Sequence, residues 1–90
     1  MDKCYIIILW DSGIPHFYQT NEKVQWAFSA LVKAYVRLGS AINAAKRLGR
    51  KYRYDKIRIY HINYSQSFSS ANFLKGEFDK NIVFEIKKTD

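Results

Sequence analysis

Residues 44–60 read AAKRLGRKYRYDKIRIY. Two incompatible architectures can be built from this stretch. In one, Ala45, Leu48 and Gly49 open a helix-turn-helix, and a second, DNA-reading helix follows the glycine. In the other, a helix ends near Gly49 and the chain passes into a β-strand. The first needs apolar residues about six and nine positions beyond the turn glycine, to hold the second helix against the first. Those positions are Asp55 and Arg58. The apolar residues present, Ile57 and Ile59, are two apart, which is the repeat of a strand. The stretch is therefore read as the basic end of a helix running into a strand.

Upstream, Val24, Phe28, Leu31, Tyr35, Leu38, Ile42 and Ala45 recur at alternating intervals of four and three, and Ala27, Ala34, Ala41 and Leu48 widen the same stripe. The spacing predicts one long helix that begins at Thr20 or Asn21, carries Glu22 in its first turn, and is kinked or briefly broken at Gly39-Ser40. The same two residues would equally end one helix and cap another. Before it, Tyr5-Ile6-Ile7-Ile8-Leu9-Trp10 is apolar on both alternating faces and predicts a central strand. Asp11-Ser12-Gly13 predicts a tight turn. Residues 14–19 resume extended character, in a strand that is short or at an edge because Pro15 cannot donate to a ladder.

Downstream, residues 57–64 predict a strand whose apolar parity shifts from Ile57 and Ile59 to Ile62 and Tyr64, as a bulge near Tyr60-His61 would produce. Residues 65–70 predict a polar loop capping one turn through Phe73-Leu74-Lys75 that ends at Gly76, with Phe68 and Phe73 pinning it to the core. Ile82, Phe84 and Ile86 alternate with Val83, Glu85 and Lys87 and predict a last strand buried on one side. The expected fold is α+β: ββαββ, an antiparallel-rich sheet with the long helix packed on one face, in a single domain over residues 1–90.

Ninety residues bury a thin core, and hydrophobic residues at 48%, with aromatics at 17%, supply it without disulfides. The one cysteine, Cys4, has no internal partner and reads as a small packed residue rather than a nucleophile. No apolar run reaches the roughly 18 residues needed to cross a bilayer, and the N-terminal apolar run is too short for a signal peptide. The expectation is no membrane association and a reducing compartment, the cytoplasm.

Lys plus Arg outnumber Asp plus Glu by 15 to 8, for a net charge of +7. Lys46, Arg47, Arg50, Lys51, Arg53, Lys56 and Arg58 face only Asp55, so residues 46–58 carry six of those seven net charges. Tyr52, Tyr54 and Tyr60 are interleaved with them. Cations neutralise phosphates and release counterions, and tyrosine rings stack on unpaired bases. These ten residues form the candidate nucleic-acid-binding segment, with RNA, DNA or a nucleoprotein complex as partner. Two plainer readings stand beside it: a solvated helix end whose cations complement the helix dipole, and a contact for an acidic protein.

Catalytic signals are sparse. His16 and His61 lie in separate predicted strands, no metal-ligand spacing occurs, and no glycine-rich phosphate loop or nucleophile elbow is present, so no metal, cofactor or catalytic residue is expected. In size and charge the chain is similar to the ribosome-dependent mRNA interferase toxins, with His61, Arg58, Lys56 and Tyr60 as the residues to carry that chemistry. The order of elements differs, since those toxins place helices directly after the first strand.

A strand followed by Gly13-Ile14-Pro15-His16-Phe17-Tyr18-Gln19-Thr20 and then a predicted helix resembles, over residues 4–38, many short uncharacterised proteins of phages and mobile elements. The resemblance implies a non-catalytic protein, cytoplasmic in the host cell, that occupies a surface of a host nucleic-acid machine such as a CRISPR nuclease and inhibits it. A competing expectation is an adaptor or inhibitor that contacts a host protein alone. It would use the edge around Pro15 or a helix face bearing Gln25, Ser29, Lys33 and Arg37.

Overall fold

The computed structural model describes residues 3–20, 23–25, 32–63 and 69–88. Its centre is β1 (Lys3–Asp11), and the antiparallel sheet runs β3 (Val24–Gln25), β2 (Ile14–Tyr18), β1, β4 (Lys56–Asn63), β5 (Ile82–Lys87). Two helices pack on it, α1 (Leu38–Lys51) and the short α2 (Ser70–Leu74), and a 3-10 turn, Asp79–Asn81, leads into β5. The class is α+β, as expected. No helix among the described residues is long and apolar enough to cross a membrane.

β1 is central because Ile6, Ile7 and Ile8 are fully buried, which requires cover on both sheet faces. One face packs Ile7, Leu9, Ile57 and Ile59 beneath Ala41, Ala44, Ala45 and Leu48 of α1. The other packs Cys4, Ile6, Ile8, Tyr60 and Ile62 with Phe17, Phe73 and Phe78. Phe73 is the hub there. Its ring meets Phe17 edge-on at 5.3 Å, Tyr60 edge-on at 5.0 Å and Phe78 at 4.9 Å. Each such pair contributes about 0.5–1.5 kcal/mol beyond the area it buries. Phe73 does pin its segment to the core, and Phe68 lies outside the described residues. The expectation of a sheet covered on one face alone is corrected by this second layer.

The β1–β2 turn forms as its residues predict. Asp11 pairs with Ile14 across Ser12 (φ 55) and Gly13 (φ 76), the two left-handed residues of a type I′ hairpin. Serine rarely adopts that conformation. Here its N–H donates to Asp55 Oδ2 at 2.7 Å, which offsets the cost. At the other end of the chain, the expected turn after residue 70 is α2. Ser69 and Asn72 cap its start reciprocally. Gly76 (φ 76) ends it, with Gly76 N–H donating to Phe73 O and Glu77 N–H to Asn72 O, a Schellman arrangement.

The expected long helix is the main error. Among the described residues only its second half is helical, and the ββαββ order fails because β3 and the extended residues 32–37 stand where the first half was expected. Val24 pairs with Tyr18 in β3. Tyr35 exchanges two 2.8 Å backbone hydrogen bonds with Tyr5, and Lys33 N–H donates to Tyr18 O at 2.9 Å. The chain is thus laid along β1 where β2 has left it. β-Branched and aromatic residues such as Val24, Val32 and Tyr35 suit such positions. Asn21, Glu22, Ala27, Phe28 and Leu31 lie outside the described residues. The proposed helix face of Gln25, Ser29, Lys33 and Arg37 does not exist as such, since Gln25 is in β3, Lys33 and Arg37 are extended, and Ser29 is outside the described residues.

One finer expectation holds and another changes. β2 is short, as Pro15 predicts, and β3 flanks it only at Phe17 and Tyr18, while Pro15 itself is fully buried opposite Trp10. The sheet does contain a bulge beside Ile59 and Tyr60, but the unpaired residue is Val83 of β5. β4 itself alternates regularly against β1, and its apparent parity shift arises because one sheet face buries Ile57 and Ile59 while the other buries Tyr60 and Ile62. The bulge places Ile82 with Tyr60 on one face and Phe84 and Ile86 with Ile59 on the other.

Two glycine substitutions should move stability in opposite directions. Gly76→Ala forces a side chain into a left-handed position, where its Cβ would meet Asp79 Oδ2 at 2.9 Å. It should cost about 1–2 kcal/mol. Gly39→Ala adds a methyl in open space within α1. It should stabilise by about 0.4–1 kcal/mol. Urea denaturation midpoints check both, and a stabilising Gly76→Ala contradicts the assigned turn.

Candidate polyanion interface

α1 has an apolar face of Ala41, Ala44, Ala45 and Leu48 and contains no aspartate or glutamate. At about 100° per residue, Lys46, Arg47, Arg50 and Lys51 spread over an arc of about 140° opposite that apolar face. All four are exposed, as is Arg53 in the extended link to β4. None of the five has an ion-pair partner among the described residues. Arg50 and Lys51 also lie in the last turn, where cations complement the helix dipole.

Asp55 does not pair with these cations among the described residues. It is the sole acid in the basic segment, and each of its polar groups holds backbone. Its carboxylate accepts from Ser12 N–H, its N–H donates to Trp10 O at 2.7 Å, and its carbonyl accepts from Lys88 N–H at 3.0 Å. The residue ties the β1–β2 turn to β4 and leaves the helix cations to solvent.

The tyrosines divide between support and core. Tyr52 ends α1 by donating its N–H to Leu48 O at 2.8 Å, its half-buried ring packs against the α1 core, and Lys51 Nζ lies 5.4 Å from the ring centroid. Tyr54 is half-buried beside Gly49, whose Cβ, if present, would lie 3.4 Å from the Tyr54 ring. Both rings therefore brace the helix end. A residue missed at the sequence level joins them: Tyr18 of β2 forms, with Arg47, Leu48 and Lys51, a shallow open cleft of about 140 Å³. Only the strand pairing brings Tyr18 there, and no local signal in the sequence marks it.

The remaining three predicted residues lie elsewhere. Lys56, Arg58 and Tyr60 have the opposite parity to Ile57 and Ile59, so they project from the face that α1 does not cover. Lys56 Nζ and Arg58 Cζ sit 5.1 and 5.8 Å from the Trp10 ring centroid. Arg58 Nε donates to Glu85 Oε2 at 2.5 Å, and Nη1 stands 3.8 Å from Asp79 Oδ1. Tyr60 is at 0% exposure and cannot stack on a base. Burial pushes its phenol up, against the opposing pull of Arg58. Trp10 Nε1 and the Tyr60 hydroxyl are buried without a hydrogen bond of acceptable geometry, although Arg58 and Trp10 are the polar groups that bear on the phenol. The ten-residue segment is thus two sites on two faces, and only Lys46, Arg47, Arg50, Lys51 and Arg53 form a free cationic surface.

The same alternation separates the ribonuclease-like set. His61 faces the α1 side, stacked on Tyr5 at 4.4 Å and 13°, while Lys56, Arg58 and Tyr60 point away from it. These four side chains do not converge. Cys4 is buried in the core, and burial pushes its thiol up. Among the described residues no group of three His, Cys, Asp or Glu side chains is placed to hold a metal ion. The chain matches no protein-family model, no curated protein and no solved structure.

The Arg58–Glu85 pair sets a pH dependence. The hydrogen bond from Arg58 holds the Glu85 carboxyl below the usual carboxylate range, against partial burial. A carboxyl lowered in the folded state stabilises above its unfolded-state pKa, and that contribution is lost as pH falls through the folded value. Glu85→Gln should therefore lower the urea midpoint at pH 7, and the gap from the parent should close below about pH 4. A gap that persists unchanged at low pH would show that the pair is not its source.

Proposed function

We propose that the protein is a small, non-catalytic binding module whose α1 face of Lys46, Arg47, Arg50 and Lys51, with Arg53, receives the phosphate backbone of RNA or DNA, free or within a nucleoprotein complex. One observation carries the reading: four exposed cations lie on the C-terminal half of α1 and a fifth, Arg53, just beyond it, and none is ion-paired among the described residues. Such a cluster raises the local positive potential and draws polyanions to it. The cleft beside Tyr18 adds a concave, partly apolar floor between Arg47 and Lys51. A helix end serving only its own dipole needs the cations of its last turn; Lys46 and Arg47 extend the charge a further turn toward the N-terminus.

The biological form of the proposal rests on the resemblance of residues 4–38 to short phage proteins, of which the strand and hairpin stand and the helix directly after them, among the described residues, does not. It is inhibition of a host defence nuclease, a CRISPR nuclease among them, by occupying its guide or target nucleic acid. A basic surface suits those strands better than it suits a cationic channel meant for DNA.

The salt dependence of binding tests the proposal. Arg47→Ala/Arg50→Ala/Lys51→Ala should weaken binding to a labelled oligonucleotide. It should also lower the log–log salt slope by about 0.7–0.9 for each phosphate that is no longer neutralised. Lys75→Ala/Lys80→Ala, at α2 and the 3-10 turn on the side of the sheet away from α1, should change neither. No binding by the parent at low salt, or an unchanged slope in the triple variant, overturns the reading.

A further inference from the structure

Past the N-terminal end of α1 the sheet face it covers emerges, and there it is aromatic. Tyr35, Tyr5 and His61 are cross-strand neighbours on three adjacent segments. Such neighbours stand about 5 Å apart, so the three side chains form a row across the sheet. The next row, Ile7 and Ile59, is fully buried under the helix, whereas Tyr5, Tyr35 and His61 are each half-buried. Tyr5 and His61 are stacked face to face, and neither the Tyr5 hydroxyl nor the His61 ring nitrogens have a hydrogen-bond partner among the described residues.

Among the described residues, the charges around the row are all positive. Lys33 Nζ lies 5.6 Å from the Tyr35 ring centroid, Lys3 is exposed one row further on, and Arg37 is exposed where α1 begins. None of these cations has an ion-pair partner among the described residues. The described acids lie elsewhere. Asp11 and Asp55 are at the opposite end of β1, about 20 Å away at 3.3 Å per residue. Glu85 and Asp79 face Arg58 on the other side of the sheet, and Glu77 accepts from Asn72.

We infer that this row is a base-stacking platform for single-stranded nucleic acid. The inference rests on the proposed phosphate contacts of α1 and adds a selection they lack. A cationic helix face draws single and double strands alike, but a duplex keeps its base faces stacked inside, and only an unpaired strand can lay them on Tyr5, Tyr35 and His61. The His61 imidazole and the Tyr5 phenol then meet base edges, and Lys3, Lys33 and Arg37 meet the backbone. α1 is about 21 Å long, so one short strand running beside it reaches the cations at its other end.

Fluorescence anisotropy at low salt, with an oligothymidylate of about 15 nucleotides and a duplex of the same length, tests the platform. The parent should prefer the single strand. His61→Leu and Tyr5→Leu should each lower single-strand affinity about tenfold and leave duplex affinity unchanged. His61→Phe, which keeps a ring, should retain the preference. If Tyr5→Leu does not fold, the half-exposed His61 position decides alone. Unchanged single-strand affinity in His61→Leu overturns the platform, and if the α1 triple variant still weakens both probes, the phosphate-binding reading survives without it. Loss confined to the aromatic variants, with the triple variant unaffected, sustains the platform and overturns the α1 reading. A parent that binds neither probe overturns both.

Discussion

Strict alternation along β4, held in register by its pairing with β1 from Lys3–Asn63 through Trp10–Lys56, decides the rest of the structure. A one-residue slip would exchange its two faces and place Arg58 under α1. Eight directly opposed pairs and a β1 that is buried on both sides prevent that slip. With the register set, Ile57 and Ile59 form the floor for α1, and Tyr60 and Ile62 form the floor for Phe73. Arg58 is left half-buried, where an unpaired charge would be costly, and Glu85 of β5 stands directly opposite to compensate it.

That register also sorts the basic segment by function. Arg58 is consumed by Glu85 and Asp79, and Lys56 lies over Trp10. Asp55, the one acid within residues 46–58, is committed to Ser12, Trp10 and Lys88 backbone. The consequence, among the described residues, is a cationic end on α1 without ion-pair partners, at the opposite end of the helix from an aromatic row with no acid beside it. The single strand proposed above, spanning the roughly 21 Å of α1, would meet both ends.

Much of the fold was legible in the residues alone. The run of isoleucines predicted the central strand, Asp11-Ser12-Gly13 the hairpin, Phe73 and Gly76 the short turn, and the two-residue spacing of Ile57 and Ile59 excluded a recognition helix. The stretch before Leu38 was misread because Val24, Leu31, Tyr35 and Leu38 keep a helical interval, yet the free backbone edges of Tyr5 and Tyr18 win Tyr35 and Lys33 for the sheet. Long-range backbone pairing of this kind leaves no mark in a local pattern. The candidate site was half legible. Its charge was plain, and strand parity already set Lys56, Arg58 and Tyr60 apart from Ile57 and Ile59. That both faces of the sheet would be covered, and that Tyr18 would reach Arg47 while His61 met Tyr5, depended on pairings between distant segments.

The central claim is that nucleic acid meets the α1 side of the sheet and not the Arg58 side. Backbone amide NMR during titration with an unlabelled oligothymidylate reads both sides at once. The account predicts salt-sensitive shifts at Lys46, Arg47, Arg50, Lys51 and Arg53, with Tyr18, Tyr5 and His61, and quiet amides at Arg58, Glu85 and Lys87. Shifts concentrated at Arg58, Glu85 and Lys87, with α1 unmoved, would contradict it.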